Sequence, residues 1–155
     1  MPRLVAWLVV LMLAAPAIAG TKFRLEIGPP IAAGTGTPVI KQFKNTVVLV
    51  VRPRVCDNPS SVQMTGTAEG LVNGVRQSLP LELLAVSPTE GIYAVQQQWP
   101  NGHWVLQLNG TCPKPKASAS TLVPMSDVTF IREKTKVLTE PATRQQVEAL
   151  LKELS

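Results

Sequence analysis

Between residues 21 and 134, apolar and polar positions alternate in short segments that are separated by glycine, proline and asparagine. Residues 23–27 show this alternation clearly, as expected of a half-buried β-strand that the Gly-Pro-Pro of residues 28–30 brings to an end. The next segment, residues 46–51, contains only valine and leucine after its threonine. Because such a run has no polar face, we expect a central strand that is covered on both sides.

The strongest turn signal is Asn73-Gly74, a residue pair preferred in two-residue type I′ hairpin turns because both positions need positive φ. It is flanked by Val62–Val72 and Val75–Val86, which we predict to be the paired arms of a β-hairpin. Two glycines in the first arm indicate a bulge or a close approach by another backbone. Pro80 removes a ladder donor from the second arm, so this arm is expected to bend or to lie at a sheet edge.

A second turn, residues 100–103 (Pro-Asn-Gly-His), lies between Ile92–Trp99 and Trp104–Asn109. We predict that these two segments pair as a hairpin and that the tryptophans flanking the turn pack against each other across the ladder. Three aromatic residues would then form either part of the core or an exposed platform for a sugar or a peptide: Tyr93, Trp99 and Trp104.

Residues 111–120 are rich in proline, lysine and serine and are predicted to form an exposed loop. Leu122–Arg132 follows as the last predicted strand, with Val128 and Phe130 on one face. About seven strands result, at a spacing typical of an antiparallel sandwich. The predicted fold of residues 20–134 is therefore all-β, an antiparallel Ig-like or prealbumin-like β-sandwich.

Residues 135–155 are predicted to be a linker and a short C-terminal amphipathic α-helix. Four apolar residues fall at the i, i+3, i+4 and i+7 positions of one helical stripe: Val147, Leu150, Leu151 and Leu154. Thr139 or Thr143 could cap the start of this helix, and Thr143 with Gln146 has the spacing of a capping box. Since so short a helix is marginal alone, its stripe must be buried, either on the sandwich or on another chain.

Residues 1–19 have the three zones of a secretory signal peptide: a basic start, an apolar run from Leu4 to Leu13, and small residues before Gly20. We predict cleavage after Ala19 and export to the periplasm or the medium. The apolar run is shorter than the roughly 20 residues that span a bilayer, and we expect no transmembrane span in the mature chain.

The charge and the cysteines narrow the function classes. The net charge is +5, but no stripe of lysine and arginine interleaved with aromatic residues occurs, so nucleic acid is not an expected partner.

The two cysteines, Cys56 and Cys112, lie in the mature part of the chain. In an oxidising compartment such a pair most simply forms one disulfide, and the Cys-x-x-Cys spacing of redox and metal sites is absent.

The sequence offers little material for catalysis or metal binding. His103 is its one histidine, and no Gly-x-Ser-x-Gly motif supplies a nucleophile, so we expect no enzymatic activity. Three soft or borderline ligands are candidates for a copper site: His103, Met64 and Met125. They do not form a His-x-His or Met-x-Met cluster, and we expect no bound metal or other cofactor.

Residues 91–95 (Gly-Ile-Tyr-Ala-Val) precede residues 99–106 (Trp-Pro-Asn-Gly-His-Trp-Val-Leu). A Gly-x-Tyr strand before a Gly-x-Trp hairpin resembles small exported bacterial Ig-like domains such as the YtkA-like and FixH-like groups, over about residues 45–110. The resemblance implies an Ig-like or prealbumin-like fold in a bacterial envelope, and it carries over no catalytic residues.

The favoured hypothesis is an exported, non-enzymatic binding or assembly module whose partner is another envelope protein. The apolar helix stripe and exposed strand edges are the docking surfaces that the sequence suggests. A periplasmic copper carrier or accessory protein is the alternative.

Overall fold

The computed structural model describes residues 22–30 and 47–155 of the chain. The predicted signal peptide, residues 1–19, lies outside the described residues. Ten strands and one α-helix occur in the described part, numbered here in chain order: β1 (Arg24–Gly28), β2 (Val47–Arg54), β3 (Gln63–Val72), β4 (Val75–Pro80), β5 (Leu83–Ser87), β6 (Ile92–Gln96), β7 (His103–Pro113), β8 (Lys116–Ser126), β9 (Thr129–Phe130), β10 (Lys136–Val137) and α1 (Arg144–Leu154).

The strands form two antiparallel sheets. Sheet A has the order β1-β2-β6-β5, and sheet B has the order β10-β8-β7-β3-β4, with β9 also paired to β8. Both sheets contribute side chains to one main core, among them Leu25, Leu49 and Val95 from sheet A and Trp104, Leu106 and Val123 from sheet B. The antiparallel β-sandwich with a short C-terminal helix is therefore confirmed.

Two local predictions for sheet strands hold. Strand β2 lies between β1 and β6, and its residues 47–51 are all buried, as expected of a central strand. The Asn73-Gly74 turn joins β3 to β4 with φ angles of 50° and 76°. The second arm of this hairpin ends at Pro80, after which the chain crosses to sheet A, so β4 is an edge strand of sheet B.

The predicted second hairpin is wrong. Strand β6 belongs to sheet A and β7 to sheet B, and residues 97–102 carry the chain between them. The crossover is anchored at Asp127, whose carbonyl oxygen accepts the indole N–H of Trp99 at 3.1 Å and whose carboxylate accepts the amide of Gly102 at 2.7 Å. Both Trp99 and Trp104 enter the main core, but they are not paired across a ladder, since Trp104 pairs with Gly70 and Met125.

The predicted exposed loop at residues 111–120 is also wrong, since it contains the tight turn and adjoining strand ends of the β7–β8 hairpin. Ala117 and Ala119 face the core and alternate with serines, a period-two pattern that the loop-like composition obscures. The predicted last strand, residues 122–132, is interrupted at Asp127, which has a φ of 54°. The breaks at Asp127 and Pro80 each divide one predicted strand in two, and β10 lies in the predicted linker, so the strands number ten in place of about seven.

Helix α1 begins at the second of its two candidate caps. Thr143 is its N-cap, and the reciprocal hydrogen bonds of a capping box with Gln146 are present. The apolar stripe packs on the outer face of sheet B, against Val105 and Leu122, with these helix residues in the cluster: Val147, Leu150, Leu151 and, partly buried, Leu154. The stripe is thus covered by the chain's own sandwich and does not remain open for a partner. This helix falls short of the length and apolarity that crossing a bilayer requires.

The predicted disulfide is present. Cys56 follows strand β2 of sheet A and Cys112 lies in β7 of sheet B, with an S–S distance of 2.00 Å. The bond therefore links the two layers of the sandwich covalently.

Candidate binding surface

The three candidate metal ligands do not come together. Met125 is fully buried opposite Trp104, whereas His103 precedes that tryptophan in β7 and its exposed side chain points to the other face of the sheet. Met64 of β3 pairs with Gly110 of β7, whereas Trp104 pairs with Gly70. The two pairs are six residues apart, which is about 20 Å along the strands. Within residues 22–30 and 47–155, histidine, cysteine, aspartate and glutamate form no cluster of three that could hold a metal ion.

The aromatic residues do not form an exposed platform. Trp99 and Trp104 are only 3% and 1% exposed, and Tyr93 is partly buried against the same core. Core packing, the other possibility raised by the sequence, is the one that the structure adopts.

A polar groove of about 400 Å³ lies between the start of α1 and the outer face of sheet B. Arg76 of β4 donates from Nη1 to Glu69 of β3 at 2.7 Å and from Nε to Glu148 of α1 at 2.9 Å. Ser78 donates a further hydrogen bond to Glu69 at 2.8 Å. Since these groups satisfy one another, the network holds α1 on the sheet and leaves little capacity for a ligand.

A second groove, the edge groove, lies where β1 of sheet A meets β9 and β10 of sheet B. It has a volume of about 260 Å³ and is lined by Glu26, Ile27, Phe130, Arg132, Thr135 and Val137. The two sheet edges are held together beside it by the hydroxyl of Thr121 in β8, which donates to the carbonyl oxygen of Leu25 in β1 at 2.6 Å.

Positive charge is concentrated on three segments, here named the edge segments: residues 22–28 and 129–137, which border the groove, and residues 47–54, which form β2 next to β1 in sheet A. They contain seven cationic residues: Lys22, Arg24, Arg52, Arg54, Arg132, Lys134 and Lys136. Only two acidic residues, Glu26 and Glu133, lie on the same segments. The edge segments thus carry a side-chain charge of +5, whereas the other described residues, with five cations and eight acids, carry −3.

Glu26 lies at the centre of three arginines on the outer face of sheet A. Its carboxylate accepts hydrogen bonds from Arg54 Nε at 2.8 Å and from Arg24 Nη2 at 2.8 Å, and Arg52 Nη2 lies 3.7 Å away. The hydrogen bond from Arg54, supported by Arg24 and opposed by partial burial, holds the pKa of the Glu26 carboxyl below its ordinary value. One carboxylate cannot neutralise three guanidinium groups, so this side of the groove keeps a surplus of positive charge.

Arg132 forms the opposite side of the groove. Its guanidinium carbon lies 5.5 Å from the centroid of the Phe130 ring, a cation–π contact, and it has no ion pair among the described residues. Arginine is suited to planar, bidentate recognition of carboxylates and phosphates. The edge groove therefore offers Arg132 in its lining as an anion-binding group, and the arginines around Glu26 lie beside it.

Comparison with known proteins supplies no relative from which a function could be transferred: no protein-family model, curated protein or solved structure matches the chain. The resemblance to YtkA-like and FixH-like domains stays a prediction. The geometry of the edge groove is therefore the basis for a functional hypothesis.

Sequence reasoning missed this surface, although a signal for it was present. The cations occur two residues apart within each segment, at residues 22 and 24, at 52 and 54, and at 132, 134 and 136. In a strand this spacing places side chains on one face, as for Arg52 and Arg54 in β2, whereas residues 132–134 form a 3-10 helix. That the three segments lie close together follows only from the way the two sheets close against each other.

Proposed function

We propose that the protein is an exported, non-enzymatic binding module of the bacterial envelope and that it docks another envelope protein at the edge groove. The observation that carries this proposal is the charge separation, +5 on the edge segments against −3 on the other described residues. Such an asymmetric field steers an oppositely charged partner into one orientation and raises the rate of encounter.

Two further features support a binding role at this edge. The helix stripe is already buried on sheet B, so it does not compete as a docking surface. The Cys56–Cys112 disulfide fits an oxidising compartment, in which an exported module would work.

Photo-crosslinking in the native envelope tests the proposal. A photoreactive amino acid in place of Val137, which lines the edge groove and is 44% exposed, is expected to give a discrete crosslinked product that mass spectrometry identifies as an envelope protein. The matched control is the same replacement at Val75, which is 63% exposed on β4 at the other side of sheet B. Equal products from both positions, or none from Val137, would contradict the proposal.

Reversing a charge at the groove gives a second test of the proposal. Arg132→Glu adds a negative charge to one wall without removing an ion pair that the described residues make. If the partner docks through its acidic surface, the Val137 product should disappear in this variant, because like charges repel at close range.

A further inference from the structure

Resting on the proposed function, we infer that the edge groove binds an acidic segment of its partner in which apolar residues lie between carboxylates. Two sets of contacts lead to this ligand chemistry, one apolar and one cationic. The apolar side chains and Arg132 line the groove itself, and Arg52 is one of the arginines around Glu26, which also lines it.

The apolar set consists of Ile27, Phe130 and Val137. Ile27 and Phe130 are half-buried because they also pack against the main core, and Val137 is exposed beside them. The groove, at about 260 Å³, is smaller than the roughly 300–1,000 Å³ of ordinary small-molecule pockets. It is the right size for one or two side chains of a polypeptide that lies across it, and its apolar lining selects apolar ones.

The cationic set is incompletely neutralised. Arg52 approaches Glu26 only to 3.7 Å, and its side chain is 49% exposed. Arg132 stands on the other wall over the ring of Phe130 with no carboxylate partner in the described chain. A carboxylate beside an inserted apolar residue would meet Arg132 in the groove, a second carboxylate could reach Arg52 beside Glu26, and each could accept a bidentate pair of hydrogen bonds.

An anionic lipid headgroup shares the charge of a carboxylate but fits this shape less well. Adsorption to a membrane uses apolar side chains that protrude and enter the lipid. Here Ile27 and Phe130 lie in the lining of a groove with cationic groups in it and beside it. The groove is therefore suited to accept side chains of a ligand and not to insert its own side chains into a membrane. The geometry thus favours a peptide segment over a bilayer.

The test is direct binding of a fluorescent synthetic peptide of alternating glutamate and leucine to the purified full domain, measured by anisotropy. Saturable binding that weakens as salt is raised is expected, and a glutamine–leucine peptide of the same length should not bind. Arg52→Ala and Arg132→Ala should each weaken binding about three- to fivefold, the range expected of one partly exposed charge pair. Arg144→Ala, which removes an equal charge from a side chain 88% exposed on α1, should leave binding unchanged.

Several results would overturn the inference. The inference is contradicted if the glutamate–leucine peptide does not bind. It is also contradicted if Arg144→Ala weakens binding as much as Arg52→Ala and Arg132→Ala do. Vesicles of phosphatidylglycerol that displace the peptide and show the same dependence on Arg52 and Arg132 would identify the headgroup as the ligand instead. If the peptide fails while the crosslink from Val137 persists in the envelope, only this inference falls; if both fail, the proposed function falls with it.

Discussion

The indole ring of Trp104 lies directly over Gly70, its partner across the β3–β7 ladder. A Cβ atom on residue 70 would stand 2.5 Å from Cε3 of the ring, well inside van der Waals contact. The ladder runs through this position without a shift in register. The glycine therefore marks the close approach of a side chain, where the sequence had suggested a bulge or another backbone.

Gly70→Ala is accordingly expected to lower the free energy of unfolding by about 1–3 kcal/mol, the usual cost of overpacking a well-filled core. Strand β3 is paired on both sides and has little freedom to move away from the ring. The matched control is Gly66→Ala, whose Cβ would lie 3.1 Å from the flexible end of Leu108 and should cost less. Urea unfolding of the three proteins measures both changes, and a Gly70→Ala protein as stable as the wild type would contradict the packing argument.

Removal of the Cys56–Cys112 disulfide should destabilise the fold by at most about 4 kcal/mol, since the bond closes a loop with a sequence separation of 56. The melting temperature should fall by several degrees in the Cys56→Ser/Cys112→Ser double variant. A reductant should lower the melting temperature of the wild type but leave that of the double variant unchanged. Detection of two free thiols in the native protein would show that the bond does not form.

Helix α1 should contribute to the cooperative core of the domain because it covers Val105 and Leu122, which are otherwise on the outer face of sheet B. Leu150→Ala is expected to cost about 2–5 kcal/mol, as for other fully buried leucines. Leu154→Ala is the control, since Leu154 is only partly buried at the same cluster and should cost less. Unfolding of α1 in a separate, earlier transition would show that the helix is an independent element.

The lowered pKa of Glu26 makes a stability contribution that depends on pH. The folded protein binds the proton of the Glu26 carboxyl more weakly than the unfolded chain does. The stabilising contribution is therefore fully present above the ordinary glutamate pKa. It is lost as the pH falls through that value and then through the lower pKa of the folded state.

The wild type should therefore exceed Glu26→Gln in free energy of unfolding at neutral pH, and the difference should shrink in acid. Denaturant unfolding of both proteins across this pH range measures it. Glu82→Gln, at an exposed carboxylate that makes no ion pair in the described chain, is the control and should show no such trend. A constant difference between the wild type and Glu26→Gln would mean that the arginine contacts do not favour the ionised carboxylate.

Local rules were sufficient where a few neighbouring residues determine the conformation. The Asn73-Gly74 turn depends on positive φ at two adjacent positions, and the start of α1 depends on reciprocal hydrogen bonds between Thr143 and Gln146. The disulfide followed from the number of cysteines and the inferred compartment. In each case the tertiary structure did not compete with the local preference.

Long-range contacts decided what the sequence could not predict. Residues 100–103 have the composition of a hairpin turn, but the contacts of Trp99 and Gly102 with Asp127 direct the chain into the other sheet. The edge groove has the same origin: Glu26 and Arg132 are 106 positions apart in sequence and line one groove only because β1 and β9–β10 close one side of the sandwich. The composition therefore shows the surplus of positive charge but not where on the fold that charge lies.

Export is the prediction on which the compartment, the disulfide and the class of partner all depend. Expressed with its full sequence in a bacterial host, the protein recovered from the periplasm should have Gly20 as its first residue by intact mass and N-terminal sequencing, since small residues at positions 17 and 19 define the cleavage site. Ala19→Arg should block this processing because a large charged residue replaces the small one before the cut, whereas Lys22→Ala, beyond the cut, should not. Recovery of the wild type from the cytosol with Met1 retained and both cysteines reduced would contradict export, and the envelope partner proposed here would lose its basis.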